Sequence, residues 1–159
     1  MAAATLSGAT HPILENDYAS EWMGIEVLAL DEGQATIRMT LRQEMLNGFG
    51  VAHGGMVFAF GDTAFALACN PASPHPGHAG TGSETITVAA GVDINFLKPA
   101  FRGQVLTAVA NRRASTGRSG LYDIQIFAAD VAPPATAAPT PAGELIAEFR
   151  GRSRTISKK

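Results

Sequence analysis

The chain has 159 residues, 46% hydrophobic and 16% charged, with a formal net charge of −2. That length suits a single domain, taken as residues 1–159, with a real core. The only cluster of like charge is a short basic tail from Arg150 to Lys159, so neither nucleic acid nor an anionic membrane is indicated as a partner. In chain order, residues 1–12 are expected to fray, and MAAATLSGATHP lacks the basic and long apolar regions of a secretory signal. Pro12 to Met23 reads as a short helix with Ile13, Leu14, Tyr18 and Trp22 on roughly one side, ended by Gly24. Ile25 to Leu30 reads as a strand. After the turn signal Asp31-Glu32-Gly33, Gln34 to Leu41 alternates, with Ala35, Ile37, Met39 and Leu41 on one face. The two form a hairpin.

The next stretch, NGFGVAHGGMVFAFGDTAFALACN, organises the rest. Asn47 to Gly55 is a glycine-rich turn with one histidine. Met56 to Cys69 is apolar almost all round, as expected of a helix buried on every side. One charge stands in it, Asp62, with Phe58, Ala59, Phe65 and Ala66 three and four positions away. A carboxylate in such surroundings is disfavoured in its charged form. The run is too short for a membrane span. Cys69, the single cysteine, forbids an intrachain disulfide and fits a reducing compartment, so a cytoplasmic location is expected.

PASPHPGHAGTGSE is loop. Thr85 to Leu97 is a long strand with Ile86, Val88, Val92, Ile94 and Phe96 sharing one parity. Gln104 to Arg112 and Leu121 to Val131 alternate around the turn Thr116 to Gly120. APPATAAPTPA, residues 132–142, is a Pro/Ala loop that cannot join a ladder. Gly143 to Ile156 is the last strand, with one wet face. The order is hairpin, one long apolar helix, then an antiparallel meander. A single sheet must bury one face, and that helix is what can cover it. The class is α+β: a curled antiparallel sheet wrapped around one long central helix, the hotdog architecture.

From about Trp22 onward the chain resembles the phenylacetate-degradation thioesterases of the hotdog fold, the PaaI family. The resemblance rests on MLNGFGVAHGGMVFAFGDTAFALACN, VDINFLKPAFRGQVLTAVA, TGRSGLYDIQIF and ELIAEFRGRSRTI. It implies an acyl-CoA thioesterase acting on ring-hydroxylated phenylacetyl groups and their like, with no cofactor beyond the CoA carried by the substrate. It also implies self-association as a homodimer and a dimer of dimers. Two departures stand out. The loop 132–142 reads as an insertion, and Ala89 and Ala90 stand where some relatives carry a serine that assists the catalytic carboxylate.

Asp62 is the leading catalytic candidate. A desolvated carboxylate accepts protons readily and can activate water or attack a thioester directly. The plainer reading is a helix aspartate reaching solvent or capping a neighbouring chain; the resemblance matches the position to the family's catalytic acid. Gly54 and Gly55 open the helix, where free N–H groups can hold an oxyanion; the alternative is a turn glycine pair. The resemblance assigns the N–H to Gly54. His53 is either a general base or a residue that shapes the turn. Asn47 either orients substrate or water or simply makes the turn, and the resemblance favours a site role. Thr63 either faces the acyl pocket or bonds its own backbone. Phe58, Phe60 and Phe65 are either pocket walls or plain core. Gly117, Arg118, Ser119 and Gly120 form a turn able to take a CoA phosphate, with Arg150 and Arg152 adding charge; the alternative is a solvated hairpin. His53, His75, His78 and Asp62 show no zinc-type spacing, so no metal is expected, and Cys69 reads as a small core residue.

Gly54 and Asp62 are eight residues apart, roughly 12 Å along a helix. If both act on one carbonyl, they come from different subunits of a two-fold dimer. Two other functions fit the fold. A hydratase needs a histidine shortly after the aspartate, and Asp62 has none. A non-catalytic acyl-CoA sensor usually adds a DNA-binding module, for which the short N-terminus has no room.

Overall fold

The computed structural model describes residues 11–72, 85–130 and 143–159. The loop at 132–142, the residues before His11, and His75 and His78 lie outside that set. Fraying was expected through Pro12. Instead His11 is buried, its Nδ1 accepts from the Ile13 N–H at 3.1 Å, and its Nε2 bonds the Asn70 carbonyl. The expected helix Pro12–Met23 is split. A 3-10 turn, Pro12–Leu14, is followed by α1, Tyr18–Met23. Between them Asn16 takes a left-handed conformation (φ 65) and Asp17 caps α1. A capping carboxylate needs non-helical backbone, so the helix cannot run through it. Gly24, at φ 69, ends α1.

Strands β1 (Glu26–Asp31) and β2 (Gln34–Thr40) form the expected hairpin, with Ala35, Ile37 and Met39 buried. A 3-10 turn at Gln43–Met45 leads towards α2, Gly54–Cys69. The remaining strands are β3 (Thr85–Phe96), β4 (Val105–Thr116), β5 (Ser119–Ala129) and β6 (Glu144–Ser157). All pairings are antiparallel, in the order β1-β2-β4-β5-β6-β3.

The meander holds only for β4, β5 and β6. β2 occupies the free side of β4, with Thr36 opposite Val109, so β3 pairs at the far edge with β6. Alternation assigns a strand its faces, not its neighbours, so this crossover was not readable from pattern. The shared parity expected along β3 also fails. A bulge between Ala89 and Gly91 shifts the register. Val92, Ile94 and Phe96 pair with Gly151, Phe149 and Ala147 and share their inward face. Beyond the bulge, Val88 and Ile86 pair with Arg154 and Ile156 on the outer face.

The concave face of the sheet closes on α2. Phe60, Phe65 and Leu67 of the helix meet Ile37, Met39, Leu106, Ile124, Ile126 and Phe149 of the strands in one buried cluster. Each such side chain contributes about 1.5–3 kcal/mol by leaving water. Two glycines set how closely helix and sheet approach. A Cβ on Gly61 would lie 2.9 Å from Phe149 Cδ2, and one on Gly151 would lie 2.6 Å from Phe65 Cε2. Phe65 also meets Tyr122 edge-on at 5.3 Å.

Candidate active site

The chain is pinned just before α2 begins. The His53 N–H donates to the Met45 carbonyl at 2.8 Å and the Ala52 N–H to the Ala100 carbonyl at 2.8 Å. Asn47 closes the turn. Its Oδ1 accepts from the Phe49 N–H at 2.9 Å and the Val51 N–H at 3.3 Å, and its own N–H donates to the Val51 carbonyl at 2.8 Å. Asn47 therefore does the work of a turn residue, whatever its amide nitrogen does for a ligand.

His53 is the N-cap of α2. Its Nδ1 accepts from the Gly55 N–H at 2.9 Å, and its carbonyl accepts from Met56 and Val57. Gly55 is thus engaged, whereas the Gly54 N–H has no partner among the described residues. That donor stands at the positive end of a 16-residue helix. Gly54 borders a recess of ≈ 370 Å³ walled by Val51, Val57, Phe96, Leu97, Pro99 and Ile146. The recess is apolar apart from Lys98, which pairs with Glu144 at its rim.

The helix is not buried on every side. Gly55 and Phe58 are exposed, and Met56, Ala59, Asp62, Thr63 and Ala66 are half-buried, making one open stripe. The sheet covers only the opposite side, and apolar composition alone does not tell a covered stripe from an open one. Phe60 and Phe65 are core, but Phe58 lies on the stripe one turn before Asp62, 37% exposed, its ring tilted 47° against that of Phe149 with centroids 5.5 Å apart. Asp62 makes no hydrogen bond or ion pair among the described residues. Burial raises its carboxyl above the usual aspartate range, and the nearby Asp17 carboxylate raises it further. Thr63 does not bond its own backbone; its Oγ1 meets Ser20 Oγ of α1 at 3.0 Å.

The other candidates lie apart from these. Gly117, Arg118, Ser119 and Gly120 border an open cleft of ≈ 430 Å³ beyond the C-terminal end of α2, with Thr87, Ser153, Thr155 and Arg112. The register puts this hairpin at the Thr85 end of β3, the end opposite Phe96 and Gly54. Arg150 and Arg152 are on the outer face of the sheet. Arg150 already holds Asp123 with two hydrogen bonds, Nε to Oδ1 at 2.7 Å and Nη2 to Oδ2 at 3.0 Å. That pair, helped by Arg113, holds the Asp123 carboxyl below the usual range. Cys69 is buried, and burial pushes its thiol up to about 12. Among the described residues no three His, Cys, Asp or Glu side chains converge to hold a metal, and no helix is long and apolar enough to cross a membrane.

Sequence reading missed Asp17 and Ser20. The spacing Asp17-Tyr18-Ala19-Ser20 at a helix start was the available signal for a cap, but it says nothing of the proximity to α2.

An antiparallel sheet curled round one long helix is the hotdog architecture of thioester hydrolases. Comparison with known proteins agrees. The thioesterase superfamily model matches residues 49–135. The Escherichia coli (strain K12) acyl-coenzyme A thioesterase PaaI is 36% identical over 146 residues, covering 92% of this chain and 88% of its own. The solved structure of the E. coli PaaI protein from the phenylacetic acid degradation operon superposes with a TM-score of 0.73 at 35% identity, covering 92% and 90% of the two chains. A point mutant of the phenylacetic acid degradation protein PaaI from Thermus thermophilus gives 0.68 at 27% identity, covering 87% and 98%. The chain belongs to the PaaI family of the thioesterase superfamily and is a thioester hydrolase.

Proposed function

We propose that the protein hydrolyses aryl acyl-CoA thioesters, of the phenylacetyl or hydroxyphenylacetyl type, at a site shared by two chains. The observation that carries this reading is the pairing on one helix of a free Gly54 N–H with an unpartnered Asp62, too far apart to serve one carbonyl. The Gly54 N–H of one chain holds the thioester oxygen. The Asp62 carboxylate of the second takes a proton from water, and the water oxygen bonds to the carbonyl carbon. The negative charge gathers on the oxygen held by Gly54, where a fixed donor is worth most. Collapse breaks the C–S bond; the CoA thiolate takes up a proton and the free acid leaves. In the nucleophilic variant the Asp62 oxygen itself bonds to the carbonyl carbon, expels the thiolate, and the resulting anhydride is hydrolysed. Neither route needs a cofactor.

The edge strand β3 supports the two-fold arrangement. Among the described residues no second strand lies beside its outer edge. Two such edges paired antiparallel set the Phe96 end of one chain beside the Thr85 end of the other. The partner's hairpin of Gly117, Arg118, Ser119 and Gly120 then approaches the Gly54 recess, where the phosphates of CoA need cations and N–H donors. Two such dimers make the expected tetramer. Phe58, open on the stripe that carries Asp62, supplies an aromatic wall for an aryl group. A cytoplasmic location suits the single buried Cys69.

The test is release of free thiol from a panel of aryl and straight-chain CoA thioesters. The reading expects the highest kcat/KM for phenylacetyl or hydroxyphenylacetyl CoA. A long fatty acyl-CoA hydrolysed well above these overturns the aryl assignment, and absence of release from every member overturns the activity.

A further inference from the structure

Asp17, the N-cap of α1, is a second carboxylate tied to the helix that carries Asp62. Asp17 accepts from the Ser20 N–H at 3.0 Å and from Ser20 Oγ at 2.7 Å. Ser20 Oγ meets Thr63 Oγ1 at 3.0 Å. A serine hydroxyl has one hydrogen, and Asp17 takes it, so Thr63 is the donor to Ser20. The chain of bonds therefore runs Thr63 to Ser20 to Asp17. Ser20 is 1% exposed, so the middle of the link is shielded from water, while Asp17 and Thr63 at its ends are half-buried. The link ties Asp17 to the residue directly after Asp62.

We propose that Asp17 is a positioning residue for the thioesterase reaction: the Thr63–Ser20–Asp17 link holds a second negative charge against Asp62 of the same chain, and the two carboxylates together set the pH range in which the site works. This rests on the reading of Asp62 as base or nucleophile. Capping alone accounts for the bonds between Asp17 and Ser20. It does not account for the extension to Thr63, which crosses from one helix to the other.

Among the described residues, Asp17 is the charged group that acts on Asp62. Burial and the Asp17 charge act in the same direction. Cys69, further along α2, is held as a thiol by burial. Glu21 of α1 is exposed. On the inner face the strands bring Arg112 and Glu32, 3.7 Å apart, beside the C-terminal end of α2. Arg38, Asp123, Glu148 and Arg150 alternate with buried residues and point outward. His11 is occupied by Asn70 and Ile13, and His53 by Gly55 at the far end of the helix. A like charge disfavours ionisation of its neighbour and makes the ionised form a stronger base. The effect weakens as salt screens it.

The experiment is kcat against pH for the parent, Asp17→Asn, Asp17→Glu and Asp62→Asn on one aryl-CoA thioester, at low and high salt. Asparagine caps helices about as well as aspartate, so α1 is retained. The rising limb of Asp17→Asn should move to lower pH, with a lower plateau, and the gap from the parent should narrow in high salt. Asp17→Glu, which keeps the charge, should stay nearer the parent. If Asp17→Asn does not fold, Asp17→Ser gives the same comparison. A rising limb that coincides with the parent's in the charge-free variants, while Asp62→Asn is inactive, overturns the role of Asp17 and leaves the role of Asp62 standing. An Asp62→Asn enzyme with parental turnover overturns both.

Discussion

The Gly55 N–H donates to His53 Nδ1 at 2.9 Å, and this bond decides which donor at the start of α2 is left for a substrate. With Gly55 engaged, the neighbouring Gly54 N–H is the one without a partner among the described residues, and Gly54 borders the recess. A substitution can remove that single hydrogen. Gly54 is the first helical residue, where proline is well tolerated, and His53 at φ −64, ψ 131 has the extended backbone required before a proline. Gly54→Pro should fold with a Tm near the parent's, Phe96 shifting slightly to make room. Its kcat should fall about 10²–10³-fold, as for loss of one oxyanion donor. A kcat within a few-fold of the parent rejects Gly54 as that donor.

Asp62→Asn keeps the shape of the side chain and removes the proton acceptor. Turnover should fall at least about a hundredfold, and the rising limb of the pH profile should vanish. Stability should change the other way. The folded-state value of Asp62 is raised above the unfolded value near 3.8, so its favourable contribution is complete in acid and lost as pH rises through the folded value. At neutral pH the asparagine variant should melt higher than the parent, and the difference should close as pH falls below about 4. Thermal melts of both proteins across pH check the sign; a variant that melts lower at neutral pH contradicts it.

The shared site predicts complementation. Asp62→Asn chains retain a sound Gly54, and Gly54→Pro chains retain a sound Asp62. A mixed dimer therefore contains one intact site and one doubly defective site. Random exchange makes half the dimers mixed, so about a quarter of parental activity should return. Mixed dimers verified by mass and still inactive reject the cross-subunit arrangement.

Cys69 should be inert in the native protein. Its thiol lies near 12 and is buried, while the thiolate is the species that reacts. A disulfide reagent at about pH 8 should label it only after denaturant is added, and Cys69→Ala should keep parental kcat. Rapid native labelling contradicts the assignment. The practical result is a thiol-release assay without background from the enzyme.

The placement of the candidate residues around α2 was legible because it is local. His53 caps the helix that carries Gly54 and Asp62, and the absence of Lys or Arg three or four residues from Asp62 could be read directly. The hairpin β1–β2 was legible for the same reason. What depended on distant segments was not. β3 was assigned a strand and the wrong neighbour, because β2 had already taken the side of β4 it was expected to occupy. Its outward Ile86 and Val88 were hidden by a bulge, which shifts parity without changing composition. Arg150 reads as a free cation for phosphate; the register sets it against Asp123, which holds it. Asp17 looked like part of a helix it in fact begins.

The close approach at Gly61 and Gly151 has a bearing on how specificity can change. Phe149 fits against the helix where Gly61 lacks a side chain, and Phe65 fits against the sheet where Gly151 lacks one. The two contacts are reciprocal, one knob from each layer, so they lock α2 against both sliding and rolling. A slip of one helical turn would carry Asp62 about 5.4 Å along the axis, and neither phenylalanine would then have a socket. The open stripe can consequently exchange Ala59 or Ala66 for other residues without dragging the carboxylate with it, whereas Phe58 rests on Phe149 of the clamp. On the proposed function, the acyl pocket is adjustable because the helix that carries Asp62 is clamped from behind.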